Sequence, residues 1–285
     1  MDDPGLVAVT GATGRQGGAV ARHLLAGGWR VRALTRDPSS EKARRLADAG
    51  AEVVRADMAD PATLRPAFAG AHGVFSVQNP MISGHDAEIV QGRNVGDVAA
   101  AAGVRHVVYG SAGVARSGTG VRQWESKVVI KAHLESLGLP LTVLRPMAFM
   151  ELMTDKDFYP QVSMWHLMPK LIGGDRPLVW LCADDLGAVA ARAFAEPDRF
   201  AGADLPLTSD ARSIDECREI WRAEFGRPPR RFPMPAWLFE RFVGDDLLVM
   251  WRWLHDHPVE VDPAETRAIV PGAKTVREWL SSRGR

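Results

Sequence analysis

Short apolar runs alternate with stretches of helical spacing through the first half of the chain. Leu6 to Thr10 reads LVAVT, the length of a buried strand. Arg15 to Ala26 places Val20, Leu24 and Leu25 at helical intervals. Arg30 to Leu34, Glu52 to Arg55, Gly73 to Val77, Val104 to Gly110 and Leu139 to Leu144 repeat the strand pattern. Helices are expected at Ser39 to Ala49, Ala87 to Ala102 and Gln123 to Leu137. Such alternation predicts βαβ units and an α/β fold with a doubly wound parallel sheet. Right-handed crossovers then bring the strand C-termini to one edge, where ligands bind.

The second half has a different texture. Seven of nine tryptophans lie from Trp165 onward and five of ten methionines between Met147 and Met168, so its apolar mass is large and adaptable. That suits either the core of a smaller, mostly helical lobe or an apolar substrate pocket with a lid. At about 150 residues per domain, 285 residues allow one large domain or a domain with an appended lobe. The expected division is 1–146 for the doubly wound domain and 147–285 for the lobe, with elements of the first fold recurring near 178–195.

Composition narrows the function. Lys+Arg (35) balances Asp+Glu (35), which argues against a nucleic-acid partner and against a polybasic membrane contact. No run reaches the roughly 18 apolar residues of a membrane span. The start, Met1-Asp2-Asp3-Pro4, lacks the basic and apolar regions of a signal peptide. A cytoplasmic protein, monomeric or homodimeric, is the expectation. Cys182 and Cys217 have no CxxC or Cys/His cluster about them, so they read as reduced thiols, with no metal site.

The strongest chemical signal is the stretch Val7 to Gly18, VAVTGATGRQGG. Gly11, Gly14 and Gly17 form GxxGxxG directly after the first strand and at the opening of the first helix. Gly11 permits the tight turn, Gly14 lets backbone approach a pyrophosphate, and Gly17 allows close helix–strand packing. The helix N-terminus offers unpaired N–H groups and a positive dipole end to phosphates. This is a dinucleotide-binding signature, with Thr13, Arg15 and Gln16 inside it. The second strand ends in Thr35-Arg36-Asp37. Arg36 stands where an NAD site usually carries Asp or Glu, and Arg15 projects from the loop. Two guanidinium groups there favour a 2′-phosphate, hence NADP(H). Asp57 and Met58 after the third strand, and Ser76, Val77 and Gln78 after the fourth, are expected to line the adenosine diphosphate half. Asp57 could equally be a turn or N-cap residue. Pro146, Met147 and Phe149 after the sixth strand are expected at the nicotinamide.

The chain resembles the NmrA-like branch of the atypical short-chain dehydrogenase/reductases, which carry a Rossmann fold. The resemblance rests on TGATGRQGG (Thr10 to Gly18), LTRDP (Leu34 to Pro38), SAG (Ser111 to Gly113), SK (Ser126-Lys127) and LRPMAFME (Leu144 to Glu151). It continues in ADDLG (Ala183 to Gly187) and REWL (Arg277 to Leu280). It implies that Lys127 reaches the nicotinamide ribose or moves a proton, since burial beside a cationic ring makes a lysine a usable acid or base. Four residues before Lys127, where standard members have Tyr, stands Gln123. Only Tyr109 and Tyr159 are present, and Tyr109, in the fifth strand, reads as core. Ser111, at the end of that strand, faces the same edge and could hydrogen-bond a substrate carbonyl. No motif places His85, His133, His166, His255 or His257. Where many relatives have Asn after FME, Leu152 stands here, which suggests an apolar pocket.

Two functions follow. One is an NADPH-dependent reductase of an apolar planar small molecule such as a quinone, an enone or an aromatic polyketide-like carbonyl. Lys127 and Ser111 would be its catalytic pair, and Met147, Phe149, Met164 and Trp165 its substrate contacts. The other is an NADP(H)-sensing regulatory protein without catalysis.

Overall fold

The computed structural model describes residues 5–155 and 163–283. Two compact units are present. The first takes the chain up to Ala115 together with Gln123–Arg145 and Leu186–Leu205; the second takes Arg116–Arg122, Pro146–Asp185 and Pro206 onward. The strands in chain order are β1 (Leu6–Val9), β2 (Arg30–Thr35), β3 (Glu52–Arg55), β4 (Gly73–Ser76), β5 (His106–Gly110), β6 (Leu141–Pro146), β7 (Ala148–Phe149), β8 (Pro177–Leu181), β9 (Asp204–Leu207) and β10 (Asp210–Ser213). The first helices are α1 (Arg15–Ala26), α2 (Glu41–Asp48), α3 (Pro61–Phe68), α4 (Pro80–Ser83), α5 (His85–Ala101), α6 (Arg122–Ser136) and α7 (Ala183–Ala195).

Seven strands form the large sheet, in the order β3-β2-β1-β4-β5-β6-β9. β1 pairs in parallel with β2 (Val7 beside Val31) and with β4 (Val7 beside Gly73). The strand order reverses between β1 and β4, so their C-terminal ends flank the crevice where ligands bind in doubly wound sheets. Every residue of β1, β4 and β5 is buried. Burial on both faces explains their near-continuous apolar sequences. Tyr109 of β5 is fully buried with Val107, Ile130 and Leu134 in this core, and burial pushes its hydroxyl well above the ordinary tyrosine range.

Two glycines of α5 bring α6 unusually close. A Cβ on Gly92 would sit 2.6 Å from Ile130 Cγ2, and one on Gly96 would sit 2.6 Å from Leu134 Cδ2. Backbone thus packs directly on side chains, and the first turn of α5 lies against the start of α6.

A smaller sheet, β10-β8-β7, belongs to the second unit. β8 runs antiparallel to β10 (Trp180 beside Asp210) and parallel to β7 (Trp180 beside Ala148). The strand near 178, expected to recur in the large sheet, therefore pairs elsewhere. The large sheet ends instead in β9, led in by Gly202 N–H donating to the Leu141 carbonyl and Val143 N–H to that of Ala203. From Leu186 onward α7 belongs to the first unit, and a Cβ on Gly187 would lie 2.7 Å from the Ala19 backbone of α1.

Met164 (1% exposed) and Trp165 (4%) sit in the core of the second unit with Met150, Met168, Trp180 and Trp251. Cys182 and Cys217 are free and buried, and burial pushes both thiols up.

Two acidic residues of the family-like motifs do structural work in this unit. Glu151 Oε1 accepts from the Ala183 N–H that opens α7, at 3.0 Å, and Asp185 Oδ2 accepts from Lys274 N–H at 2.8 Å. The other oxygen of Glu151 is buried with no partner among the described residues. Burial raises the Glu151 carboxyl above its usual 4.5, against the opposing Ala183 bond. A raised carboxyl contributes stability below the unfolded value and loses it as pH climbs through the folded one. Glu151→Gln keeps the acceptor and cannot ionise. The unfolding midpoint of Glu151→Gln, relative to the parent, is expected to rise between pH 4 and pH 7; a constant difference would refute the assignment.

Candidate functional site

The glycine loop is tied to the neighbouring strand before it turns. Thr10 Oγ1, just past β1, accepts from Val77 N–H at 2.9 Å, locking the end of β1 to the end of β4. Gly11 then turns with φ +59°, a left-handed conformation that favours glycine, and a Cβ there would meet Val77 Cγ1 at 2.9 Å. Gly14 enters α1 in extended conformation with no side-chain cap hydrogen bond, and a helix N-terminus of that kind is suited to an anion. A Cβ on Gly17 would lie 2.4 Å from the Gly11 carbonyl oxygen. The three glycines thus serve a turn, an open helix end and a helix–loop contact.

Arg36 is exposed just beyond β2. Its neighbour Asp37 is committed to the entry of α2: its Oδ1 accepts from Ser39 N–H at 2.9 Å and Ser39 Oγ at 2.5 Å. Those two bonds hold the Asp37 carboxyl below its usual value. Asp37 is thereby tied to the α2 entry through one carboxylate oxygen, and Arg36 beside it is an exposed cation. Arg15, half-buried, is the first residue of α1.

Across the ends of β3 and β4 the predicted lining residues form one connected rim. Asp57 Oδ1 accepts from Ala59 N–H at 2.9 Å, an Asx turn. Asn94 Nδ2 donates to the Met58 carbonyl at 2.9 Å. Gln78 Nε2 donates to Ser76 Oγ at 2.9 Å and contacts Met58 Sδ at 3.6 Å. Two buried amide oxygens, Gln78 Oε1 and Gln16 Oε1, have no hydrogen-bond partner among the described residues. Unpaired buried acceptors beside an open helix N-terminus fit a ligand that carries both phosphates and hydrogen-bond donors, as a dinucleotide does.

Lys127, on α6, is drawn into this rim. Its Nζ donates to the Gln78 main-chain carbonyl at 3.0 Å and to the carboxylate of Glu88 on α5. Ser126 Oγ donates to the other Glu88 oxygen at 2.5 Å. Ser111 (4% exposed) follows β5, and its N–H donates to the Leu144 carbonyl at 2.9 Å. The structure therefore gathers the glycine loop, Gln78 and Lys127, and adds Glu88 and Thr10, which the sequence reading did not single out. Glu88 left one usable signal: it shares the buried face of α5 with Gly92, Val95, Gly96 and Ala99, a charge on a stripe of small residues.

Pro146 is buried, Met147 half-buried and Phe149 buried in the second unit. Thr13 is half-buried in the loop. His133 pairs with Asp97 at 2.7 Å, His166 with Lys170 at 3.0 Å, and His255 and His257 bond main-chain carbonyls. Tyr159 lies outside the described residues. Among the described residues, no three His, Cys, Asp or Glu side chains are grouped to hold a metal ion, and no helix is long and apolar enough to cross a membrane.

Strand order and glycine loop together place the chain among the Rossmann-type α/β proteins. Within that class it belongs to the NmrA-like family, whose model matches residues 3–280. It is 32% identical over 259 residues to the NmrA-like family domain-containing oxidoreductase FrzB of Cladobotryum sp., covering 81% of this chain and 77% of the relative. In fold it is similar to the triphenylmethane reductase of Citrobacter sp. solved with NADP(H), with a TM-score of 0.77, 21% identity, and 98% and 99% of the two chains covered. It is also similar to Nmra, described as a negative transcriptional regulator, with a TM-score of 0.79, 22% identity, and 97% and 94% covered.

Proposed function

We propose that this protein is an NADPH-dependent reductase of an apolar, planar small molecule: a quinone, an enone or an aromatic polyketide-like carbonyl. The observation that carries the reading is the N-terminus of α1 behind Gly11 and Gly14, which has no side-chain cap, with Arg36 exposed just beyond β2. The oxidoreductase name of the 32%-identical relative and the NADP(H) of the triphenylmethane reductase structure support it.

In this reading the N–H groups of Arg15, Gln16 and Gly17 hold the pyrophosphate, and Arg36 with Arg15 holds the 2′-phosphate. The rim of Asp57, Met58, Ser76, Val77 and Gln78 holds the adenosine half, and Thr13 adds a loop contact. Bound NADPH supplies the hydride. The chain's own part is to orient the carbonyl and to hold a proton. Ser111 donates a hydrogen bond to the substrate oxygen, and Lys127 carries donor protons at Nζ beside the ribose. Gln123 leaves no tyrosine acid at the standard position, so this reading gives the protic roles to these two residues. With Met164 and Trp165 committed to their own core, Met147 and Phe149 are the apolar contacts this reading keeps.

The test is to mix purified protein with NADPH and a panel of quinones and enones and follow NADPH consumption. Turnover with at least one member, faster with NADPH than with NADH, is expected. Tight NADPH binding without consumption across the panel would overturn the reading. It would favour a second one, an NADP(H)-sensing regulatory protein, which rests on Gln123 and on the likeness to a transcriptional regulator.

A further inference from the structure

Glu88 is a charged residue where the fold has least use for one. Its side chain is 0% exposed, on the α5 face that packs against α6 through Gly92 and Gly96. A carboxylate taken fully out of water is costly unless its oxygens are paired. Here both are: Ser126 Oγ donates to one at 2.5 Å, and Lys127 Nζ to the other. The carboxylate also sits in the first turn of α5, where the helix dipole favours negative charge. Lys127 is held at a second point, by the Gln78 carbonyl at 3.0 Å. An ammonium has three N–H donors. Two are spent on these protein acceptors, and one is left.

A lysine needed only as a surface cation requires no such bracket. Its four-carbon stem is flexible, and its head would sample many positions. A buried carboxylate, a hydroxyl and a main-chain carbonyl at the cofactor rim instead fix the Nζ atom in space. Resting on the NADPH site proposed above, we infer that Glu88 is the positioning residue for Lys127. Together with Ser126 and the Gln78 carbonyl it fixes the ammonium so that the third N–H serves a hydroxyl of the nicotinamide ribose. Glu88 touches neither cofactor nor substrate; it acts through Lys127.

The experiment is a binding cycle that needs no turnover. The affinities of NADPH and of 2′,5′-ADP, which lacks the nicotinamide ribose, are measured for the parent, Glu88→Gln, Lys127→Met and the double variant. Loss of a charge-assisted hydrogen bond corresponds to about 10- to 100-fold in affinity. Glu88→Gln and Lys127→Met are each expected to weaken NADPH by that factor and to leave 2′,5′-ADP unchanged. The double variant is expected to bind NADPH no more weakly than Lys127→Met alone. Multiplying losses in the double variant, equal loss of both ligands, or unchanged NADPH affinity in Glu88→Gln would each overturn the inference. Should Glu88→Gln not fold, Ser126→Ala keeps the charge pair and removes one bond. It is expected to weaken NADPH but not 2′,5′-ADP, and no change in NADPH affinity would refute the bracket. A parent protein that binds neither ligand refutes the NADPH site and this inference together. The predicted cycle without turnover on any substrate refutes only the reductase reading.

Discussion

Replacing Gly17 by alanine is expected to unfold the protein at temperatures the parent survives. The added Cβ would lie 2.4 Å from the Gly11 carbonyl oxygen, 2.6 Å from the Gly11 carbonyl carbon and 2.7 Å from the Thr10 oxygen. All three atoms are backbone, so no side-chain rotation relieves the clash. The loop cannot retreat either. Thr10 is bonded to Val77 N–H, and Gly11 already turns at φ +59° against the Val77 side chain. Overpacking a rigid site costs about 3 kcal/mol, and for a chain of this size that is roughly 6–12 °C in midpoint. Gly27→Ala is the control at the other end of α1. Its φ is −82°, and an added Cβ meets its nearest atom at 3.4 Å. Equal midpoints for the two variants would show that the loop is not packed as described.

Arg36→Ala is expected to weaken NADPH far more than NADH. The two cofactors differ only by the 2′-phosphate, so the ratio of losses isolates that group. Removing a charge-assisted contact costs about 1.5–3 kcal/mol, or roughly 10- to 100-fold. Arg36 is exposed, so solvent screening pulls the value toward the lower end. Titration of both cofactors by protein fluorescence is sufficient. Equal losses would remove Arg36 from the 2′-phosphate site.

The parallel core was legible in the sequence because its strands are buried on both faces. The run LVAV is apolar throughout, GVFS and HVVYG carry one polar residue each at an end, and their observed limits fall within a residue or two of the predicted ones. α3 escaped notice because Pro61 opens it and Pro66 interrupts its pattern, while its cap, Asp60, is a single residue accepting from Ala62 N–H. The partner of β8 could not be read at all. Periodicity reports that a segment is a strand, not which edge it joins. Met164 and Trp165 suited core and pocket equally well, because both environments select large apolar side chains.

The same division runs through the site. The glycine loop was readable because its function is local, spread over a few consecutive residues. The bracket on Lys127 was not, because Glu88 lies 39 positions away and its meaning depends on the α5–α6 approach. A lone glutamate near a helix start usually caps or solvates. Only the glycines that share its face mark it as buried.

The chain passes back and forth between its two units, leaving the first after Ala115, Arg145 and Leu205 and re-entering it at Gln123 and Leu186. Neither unit is therefore a transferable module. A gene cut near position 146 would strand the first unit without most of α7 and without β9, the strand that closes one sheet edge. Recombination at a single breakpoint cannot exchange one unit for another. Ribosomal synthesis meets the same constraint: the sheet edge opposite β3 is not complete until residue 207 has emerged.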